Sequence, residues 1–444
     1  MSIIEAIDNK KLVYIDTAPD NLEWTQAYGE ARAWGKRDEL IPAFGVRRFV
    51  AEFLTQPISQ QDIDAAAVLA GPSFKAEVWQ RILDQHQGLL PLKIVCKPDG
   101  ALAKAGEPIY TIESTDPELS MLPSIVDKLI VANVWHDSTL ALKVAKARSL
   151  INGFANKTSS NSYLASFKAG SGGDMASAHL TAVSRGLLHI GFPGTLCIKG
   201  AKHLNNLYHT NLVANSEPVQ DHASVLAHGG SDDDLIGKTL DVYSNQFCHF
   251  MLDTNDFRYV LDELIGKKYR DVIAKRGHAL SVAVDSTEIE RDFFYVRDRL
   301  ADIFGVTVNE MGYKKFDAPV ILSQSEDLTL DELRRVVQRL EREGWAIDSF
   351  YFVISDDYFQ TDLRRGNLGF IQKVCAIKRD GIIEAVCKNP INDPGKKTLA
   401  GIQTVQDGIV IYENGKILSE EYESVVDRFQ NAVTELPNEF DSRC

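Results

Sequence analysis

The residues best placed for chemistry follow a short stretch at 280–284. This stretch, Leu280-Ser-Val-Ala-Val284, is a run of apolar or small residues without alternation, which is typical of a strand covered on both faces. Asp285 and Ser286 come directly after it. Ligands of α/β folds bind at the carboxyl ends of the strands, so this carboxylate and this hydroxyl are candidates for a ligand site. The alternative is that Asp285 caps the helix that follows.

A second candidate is His222, in the segment Glu217-Pro-Val-Gln-Asp-His-Ala-Ser224. An imidazole can contact a phosphate or capture a phosphoryl group as a nucleophile. From residue type alone, a buried histidine that caps a turn is the commoner case. Asp356 and Asp357 follow another predicted strand, and together with Asp285 they could hold Mg²⁺, but acidic loop residues are usually only solvated. We therefore assign no metal-ligating residue from the sequence.

The composition is that of an ordinary globular protein. The chain has 444 residues, of which 44% are hydrophobic and 25% are charged, and it is long enough for two or three domains. A net charge of −14 disfavours nonspecific binding to nucleic acid or to an anionic membrane. No apolar run reaches the roughly 18 to 20 residues of a membrane helix, and residues 1–8 lack the pattern of a signal peptide.

The cysteines indicate a reducing compartment. All six are scattered and none forms a Cys-x-x-Cys pair: Cys96, Cys197, Cys248, Cys375, Cys387 and Cys444. We therefore expect free thiols in a cytoplasmic protein rather than a disulfide framework or a zinc site.

The middle of the chain alternates between predicted strands and helices. The strands are predicted at 239–244, 280–284, 319–323 and 349–355, and the helices include 289–304 and one that starts at a capping box, Thr329 with Glu332. Such alternation favours parallel βαβ units, so we expect an α/β barrel or open barrel over 166–375. Short strands at 92–96, 106–113, 376–378 and 381–388 predict an α+β domain over 1–165 that 376–444 complete.

The order of the motifs resembles that of the nicotinamide phosphoribosyltransferase family, within the type II pyridine phosphoribosyltransferases. The resemblance rests on segments in the same order along the chain: Leu89-Leu-Pro-Leu-Lys-Ile94, Gly106-Glu-Pro-Ile-Tyr-Thr-Ile-Glu-Ser-Thr-Asp-Pro117, Ala176-Ser-Ala-His-Leu180, Gly194-Thr195, the His222 segment, Val284-Asp-Ser286, and Lys388-Asn-Pro-Ile-Asn-Asp-Pro-Gly-Lys396. It implies an incomplete α/β barrel with a β-rich α+β domain, and a homodimer with active sites at the interface.

The resemblance also implies the chemistry. The family joins a pyridine base to the ribose of phosphoribosyl pyrophosphate in NAD salvage, with Mg²⁺ and, through a phosphorylated histidine, with ATP. Each matching position then has an implied role. His222 matches the histidine, Asp285 and Ser286 match a carboxylate and a hydroxyl at the substrate, Arg364 and Lys388 match phosphate contacts, and Lys396 or Lys397 matches a lysine from the dimer partner. The alternative for these cations is an ordinary solvated surface charge.

Several positions depart from the family pattern. Ala283 stands where an arginine is expected. The other departures are Thr287, Leu196, Asn245, Lys10 in place of a tyrosine, Ser323-Gln324 in place of a Gly-Asp pair, and the pair Asp356-Asp357 in place of a glycine-rich phosphate cradle. Residues 160–170 contain no arginine for the expected pyrophosphate contact, and Lys168 is the nearest cation there. Losing one preorganised charged contact typically costs roughly 2–4 kcal/mol of transition-state stabilisation. Two hypotheses therefore stand: an active pyridine phosphoribosyltransferase, or an inactive or substrate-switched homologue with a binding, regulatory or structural role.

Overall fold

The chain divides into two compact units, which we describe separately. The computed structural model describes all residues except 1, 12–13, 15–16, 34–37, 161–168, 172–197, 214–217, 286–287, 325–327, 355–357, 360, 362 and 442–444. The antiparallel unit consists of Met1–Leu142, Leu204–Asn211 and Asp362–Ala432. The parallel unit consists of Lys143–His203, Leu212–Thr361 and Val433–Cys444.

The secondary structure is mixed throughout. The strands are Leu22–Glu30, Leu40–Pro42, Leu92–Cys96, Leu102–Lys104, Tyr110–Ser114, Ala169–Ser171, Val219–Gln220, Cys248–Met251, Leu280–Ala283, Val306–Val308, Lys314–Phe316, Val320–Gln324, Phe350–Ile354, Ile371–Arg379, Ile382–Ala385, Ile409–Glu413 and Lys416–Ile417. The α-helices are Ile3–Ala6, Val46–Phe49, Gln60–Ala70, Ala76–His86, Leu122–Ile125, Asp127–Thr158, Ile198–Tyr208, His222–Ala227, Asp232–Val242, Phe257–Tyr259, Arg270–Ala274, Ile289–Phe304, Leu330–Arg342, Arg365–Leu368 and Tyr422–Glu435.

The parallel unit is built on a sheet in which all neighbouring strands run parallel. The described strands follow one another across the sheet in the order Ala169–Ser171, Phe350–Ile354, Val320–Gln324, Leu280–Ala283, Cys248–Met251 and Val219–Gln220. All four residues of Leu280–Ala283 are buried, as expected for a strand covered on both faces. Helices Ile289–Phe304 and Leu330–Arg342 lie where the sequence predicts them, and the second begins at the predicted Thr329–Glu332 capping box.

One predicted strand of this unit is wrong. Residues 239–244 are not extended, because helix Asp232–Val242 runs through most of them. Ser231 caps this helix, and three aspartates occupy its first turn, where they interact favourably with the helix dipole. The strand comes later, at Cys248–Met251, and all four of its residues are buried. The position of Asn245 is therefore not the end of a strand.

The antiparallel unit joins the two ends of the chain in one sheet. Its strands lie in the order Ile382–Ala385, Ile371–Arg379, Leu22–Glu30, Tyr110–Ser114, Leu92–Cys96, Ile409–Glu413 and Lys416–Ile417. The unit divisions are offset from the predicted boundaries at 165/166 and 375/376. The 32-residue helix Asp127–Thr158 runs across the first division, and strand Ile371–Arg379 joins the antiparallel sheet as a whole.

A network of buried charges holds the antiparallel unit together. The guanidinium of Arg47 lies 3.5 Å from Asp99 Oδ2 and 3.0 Å from Glu420 Oε2. Tyr208 donates its hydroxyl to Asp99 Oδ2 at 2.8 Å, and Arg428 donates to the backbone carbonyl of Asp99 at 2.9 Å. These five residues come from four distant parts of the sequence, so the network crosslinks them.

Within the described residues no helix is both long enough and apolar enough to cross a membrane.

The network makes stability depend on pH. Burial, opposed in part by Arg47, raises the pKa of Asp99 from 3.8 to about 7. The unfolded chain thus releases a proton that the folded chain keeps between about pH 4 and 7, so the free energy of unfolding falls as pH rises through this window. We expect Asp99→Asn to weaken this fall by about 1 kcal/mol per pH unit, measured by urea unfolding at pH 5, 6 and 7.

The matched control is Asp20→Asn at an exposed position of the same unit, which should leave the pH dependence unchanged. Identical pH slopes for the wild type and Asp99→Asn would contradict the assignment.

Candidate active site

Three neighbouring strands of the parallel sheet each deliver one polar residue at the same distance from the strand end. His222 follows Gln220 by two positions, Asp253 follows Met251 by two, and Asp285 follows Ala283 by two. The three strands are parallel and adjacent, so their carboxyl ends form one edge of the sheet. The arrangement is the ligand-binding edge that α/β sheets share.

His222 faces both carboxylates. Its Nδ1 lies 2.8 Å from Thr254 Oγ1, which fixes the orientation of the ring. Its Nε2 lies 4.0 Å from Asp253 Oδ1 and 3.9 Å from Asp285 Oδ2. Nε2 itself is covered and makes no hydrogen bond to a described residue, although about a third of the side chain, 34%, is exposed. The ring thus presents one nitrogen to a space lined by two acids.

The two carboxylates are linked but differ in exposure. The backbone N–H of Asp285 donates to Asp253 Oδ2 at 2.9 Å. The Asp253 side chain is 4% exposed, whereas that of Asp285 is 40% exposed. Asp253 is therefore part of the support of the loop, while Asp285 is open to a ligand.

Other residues are the N-caps of the helix that begins at His222 and of the helix that follows Asp285. The cap of helix Ile289–Phe304 is Glu288, three residues after Asp285. The cap of helix His222–Ala227 is Asp221, whose carboxylate accepts the N–H of Ser224. His222 and Asp285 are therefore not the N-cap residues of these two helices.

Sequence reasoning missed Asp253 and Thr254. The cause was the misplaced strand at 239–244, which put the expected acidic position at Asn245. The signal was present in the sequence, since the apolar run Phe250-Met-Leu252 is followed at once by Asp253-Thr-Asn-Asp256. The expected position of an acid at the end of this strand is therefore filled by Asp253.

The remaining predicted positions of the parallel unit add no described charged side chain to this edge of the sheet. Ala283 is fully buried at the end of its strand and carries no charge to the edge. Ser286 lies outside the described residues, as do Thr287, Leu196, Asp356 and Asp357. Within the described part of the chain, no group of three or more His, Cys, Asp or Glu side chains is arranged to hold a metal ion.

The predicted cations lie in the antiparallel unit. The Nζ of Lys396 is 2.7 Å from Asp393 Oδ2, and Arg32 donates to the carbonyl of Lys396 at 3.2 Å. The bond from Lys396, with Lys388 and Arg32 nearby, lowers the pKa of Asp393. Lys388 is anchored by its backbone N–H, which donates to Thr398 Oγ1 at 2.8 Å.

Two further cations join this group. Burial lowers the pKa of Lys373, and Lys388 and Arg32 act on it as like charges in the same direction. Arg32 and Lys373 were not predicted, because no local pattern connects them with a loop that is distant in sequence. We call Arg32, Lys373, Lys388 and Lys396 the basic cluster. Arg364 and Lys397 are exposed in the same unit.

The sheet-edge residues and the basic cluster suit different parts of a phosphorylated sugar. A carboxylate beside an open edge can stabilise positive charge that develops on a sugar, and an imidazole nitrogen can contact or accept a phosphoryl group. A cluster of lysine and arginine side chains can bind phosphate groups.

Comparison with known proteins supports the same chemistry. Residues 2–94 match the family model "Nicotinamide phosphoribosyltransferase, N-terminal domain". A nicotinamide phosphoribosyltransferase of Xanthomonas campestris is 26% identical over 381 residues, which cover 82% of this chain and 79% of that protein. One from Acinetobacter baylyi is 25% identical over 420 residues, which cover 85% of this chain and 82% of its own length.

Solved structures share the fold. Nicotinate-nucleotide pyrophosphorylase from Pyrococcus furiosus superposes with a TM-score of 0.57 at 14% identity, covering 100% of this chain and 97% of that one. Human nicotinic acid phosphoribosyltransferase gives a TM-score of 0.57 at 12% identity, covering 98% of this chain and 95% of the human chain. These likenesses confirm the predicted fold class, an α/β barrel-like parallel sheet with a separate β-rich domain. The structures show the fold alone, whereas the family match over residues 2–94 and the two sequence relatives show that the chain is similar to nicotinamide phosphoribosyltransferases.

Proposed function

We propose that the protein is a phosphoribosyltransferase that transfers the phosphoribosyl group of phosphoribosyl pyrophosphate to a pyridine base in NAD salvage. The observation that carries this proposal is the placement of His222 between Asp253 and Asp285 at one edge of a parallel sheet. The sequence relatives named nicotinamide phosphoribosyltransferase support it.

Asp253 weakens the case for an inactive homologue. That case counted Asn245 as the loss of an acidic residue, but Asn245 does not end a strand and Asp253 does supply a carboxylate there. Ala283 remains a departure. A protein that kept only its scaffold would have no reason to keep an open carboxylate and an oriented imidazole together.

In this proposal the carboxylates, the imidazole and the basic cluster act on different parts of the substrates. Asp285, supported by Asp253, stabilises the positive charge that develops on the ribose as pyrophosphate leaves. His222 contacts phosphate or accepts a phosphoryl group, for which ATP is the donor. The basic cluster binds phosphate groups of the donor.

Mg²⁺ fits the carboxylates by donor type. Mg²⁺ favours oxygen ligands and is commonly held by one or two carboxylates together with substrate phosphates. Asp285 is such a carboxylate, since its side chain is 40% exposed, whereas Asp253 is buried and accepts the N–H of Asp285. Bound there with the donor, the metal would neutralise charge on the leaving pyrophosphate.

We further propose a homodimer in which the basic cluster of one chain serves the active site of the other. Support comes from the loop region that carries Lys388 and Lys396, where large apolar side chains are exposed: Ile382, Ile383, Ile391, Leu399 and Ile402. Exposed apolar patches of this kind mark protein contacts. The free cysteines among the described residues, three buried and one exposed, fit a cytoplasmic location.

Replacing either site carboxylate should remove most of the activity. We expect Asp285→Asn to lower kcat/KM for phosphoribosyl pyrophosphate and nicotinamide by about 10²- to 10³-fold, because it removes a charge used in the transition state. The measurement is mononucleotide formation by chromatography, with Mg²⁺ and with or without ATP.

The matched control is Asp256→Asn, which changes an aspartate that caps the helix after Asp253 and keeps a good capping residue. Its activity should stay within about threefold of the wild type. No product from the wild type with nicotinamide, nicotinic acid or another pyridine base at millimolar concentration would refute the proposed function.

Mixing two inactive variants tests the shared site. His222→Ala and Lys388→Ala should each be inactive as a homodimer, whereas a refolded equimolar mixture should recover about a quarter of the wild-type sites, since half of the dimers are mixed and each has one intact site. In the control mixture, His222→Ala with Asp285→Asn, both substitutions affect the sheet-edge residues that each chain supplies to its own site. Every site in a mixed dimer then carries one defect, so the mixture should recover no activity. Recovery in neither mixture would contradict the shared site.

A further inference from the structure

A chain of buried polar side chains crosses the parallel sheet below the candidate site. His249 Nδ1 lies 3.0 Å from Ser281 Oγ, and Ser281 Oγ lies 2.5 Å from Ser323 Oγ. The three residues stand on the adjacent strands Cys248–Met251, Leu280–Ala283 and Val320–Gln324. His249 is 7% exposed, and both serines are fully buried.

Polar groups at such positions are costly unless they are bonded to one another. An unsatisfied buried polar group destabilises a protein by about 1–3 kcal/mol. Burial lowers the pKa of His249 to about 4, so its imidazole is neutral and carries a single N–H. One tautomer satisfies the chain: Nε2–H points to Met251 Sδ at 3.3 Å, Nδ1 accepts the hydroxyl of Ser281, and Ser281 accepts that of Ser323.

The same pairing sets the position of the two carboxylates. His249 and Ser281 are direct partners in the register of their strands. Asp253 lies four residues after His249, and Asp285 lies four residues after Ser281. Both strands end two residues before the carboxylate, so the equal offset brings Asp253 and Asp285 out at the same level of the sheet edge. The hydrogen bond from Asp285 N to Asp253 Oδ2 shows that they meet there.

We propose that His249 and Ser281 are positioning residues, whose hydrogen bond fixes the register of the two central strands and thereby the spacing of Asp253 and Asp285 around His222. The proposal rests on the proposed function for its kinetic consequence only. Apolar side chains would pack in these positions, but they would lack the directional bond that holds His249 opposite Ser281. The hydroxyl of Ser323 bonds that of Ser281, which connects strand Val320–Gln324 to the other two strands.

The kinetic test is Ser281→Ala. Its kcat should fall at least about tenfold while KM for phosphoribosyl pyrophosphate stays within about twofold, because small displacements of catalytic groups lower the rate more than they lower binding. His249→Leu should behave in the same way. His249→Asn should restore most of kcat, since an amide can bond Ser281 from the place of Nδ1.

The matched control is Ser349→Ala in the same unit. Ser349 is also buried, and its hydroxyl accepts the N–H of Phe316 at 2.8 Å, away from the chain of His249. This variant also removes a buried hydroxyl and its hydrogen bond, here one from a backbone N–H, so it should lose stability without the fall in kcat. An equal fall in kcat for Ser349→Ala and Ser281→Ala at matched stability would overturn the positioning role.

A second readout separates this proposal from the proposed function. The ring chemical shifts of His222 in isotope-labelled protein, assigned with His222→Gln, report on the two carboxylates without any turnover. We expect them to move in Ser281→Ala and His249→Leu and to stay in Ser349→Ala. Unchanged His222 shifts in both chain variants would overturn the inference. An inactive wild type with shifted resonances would leave it standing and refute only the transferase.

Discussion

Parallel pairing of three short strands is the constraint on which the candidate site depends. Val219–Gln220, Cys248–Met251 and Leu280–Ala283 lie side by side, and each ends two residues before a polar side chain. A slip of one residue between the last two strands would turn one carboxylate to the other face, because side chains of a strand alternate. The bond between His249 and Ser281 is directional and joins the two strands that precede the carboxylates, so it opposes a change of register between them.

The distribution of charge follows the chemistry of a phosphorylated sugar. The edge of the parallel sheet gathers a histidine and two carboxylates, which suit a centre that becomes positive. The antiparallel unit gathers three cations around Asp393, namely Lys396, Lys388 and Arg32, which suit phosphates. A net charge of −14 conceals this second group entirely, so overall charge is a poor guide to the ligand of such a protein.

Divergence in this chain affects individual ligand contacts more than the scaffold. Ala283 removes a cation from the strand end, while Asp253 and Asp285 remain at the neighbouring positions. The polar chain of His249, Ser281 and Ser323 lies one layer deeper and is satisfied without a ligand. A site can therefore lack a cation for an anion and still keep the spacing of its carboxylates. The carboxylates are held by the buried chain of His249, Ser281 and Ser323, which does not involve Ala283.

The sequence by itself determined the fold class and two of the three residues at the sheet edge. Buried strand 280–283, helix Leu330–Arg342 with its capping box, and the candidate Asp285 follow from local patterns, because burial, capping and strand ends affect the choice of a few neighbouring residues. His222 follows from the resemblance of its segment to a known family. Tertiary structure alone decided the rest. It replaced a predicted strand by a capped helix, brought Asp253 to His222, and joined Arg32 and Lys373 to a loop near the other end of the chain. These relations are set by strand order and register, which depend on packing between distant segments and leave no short-range signal.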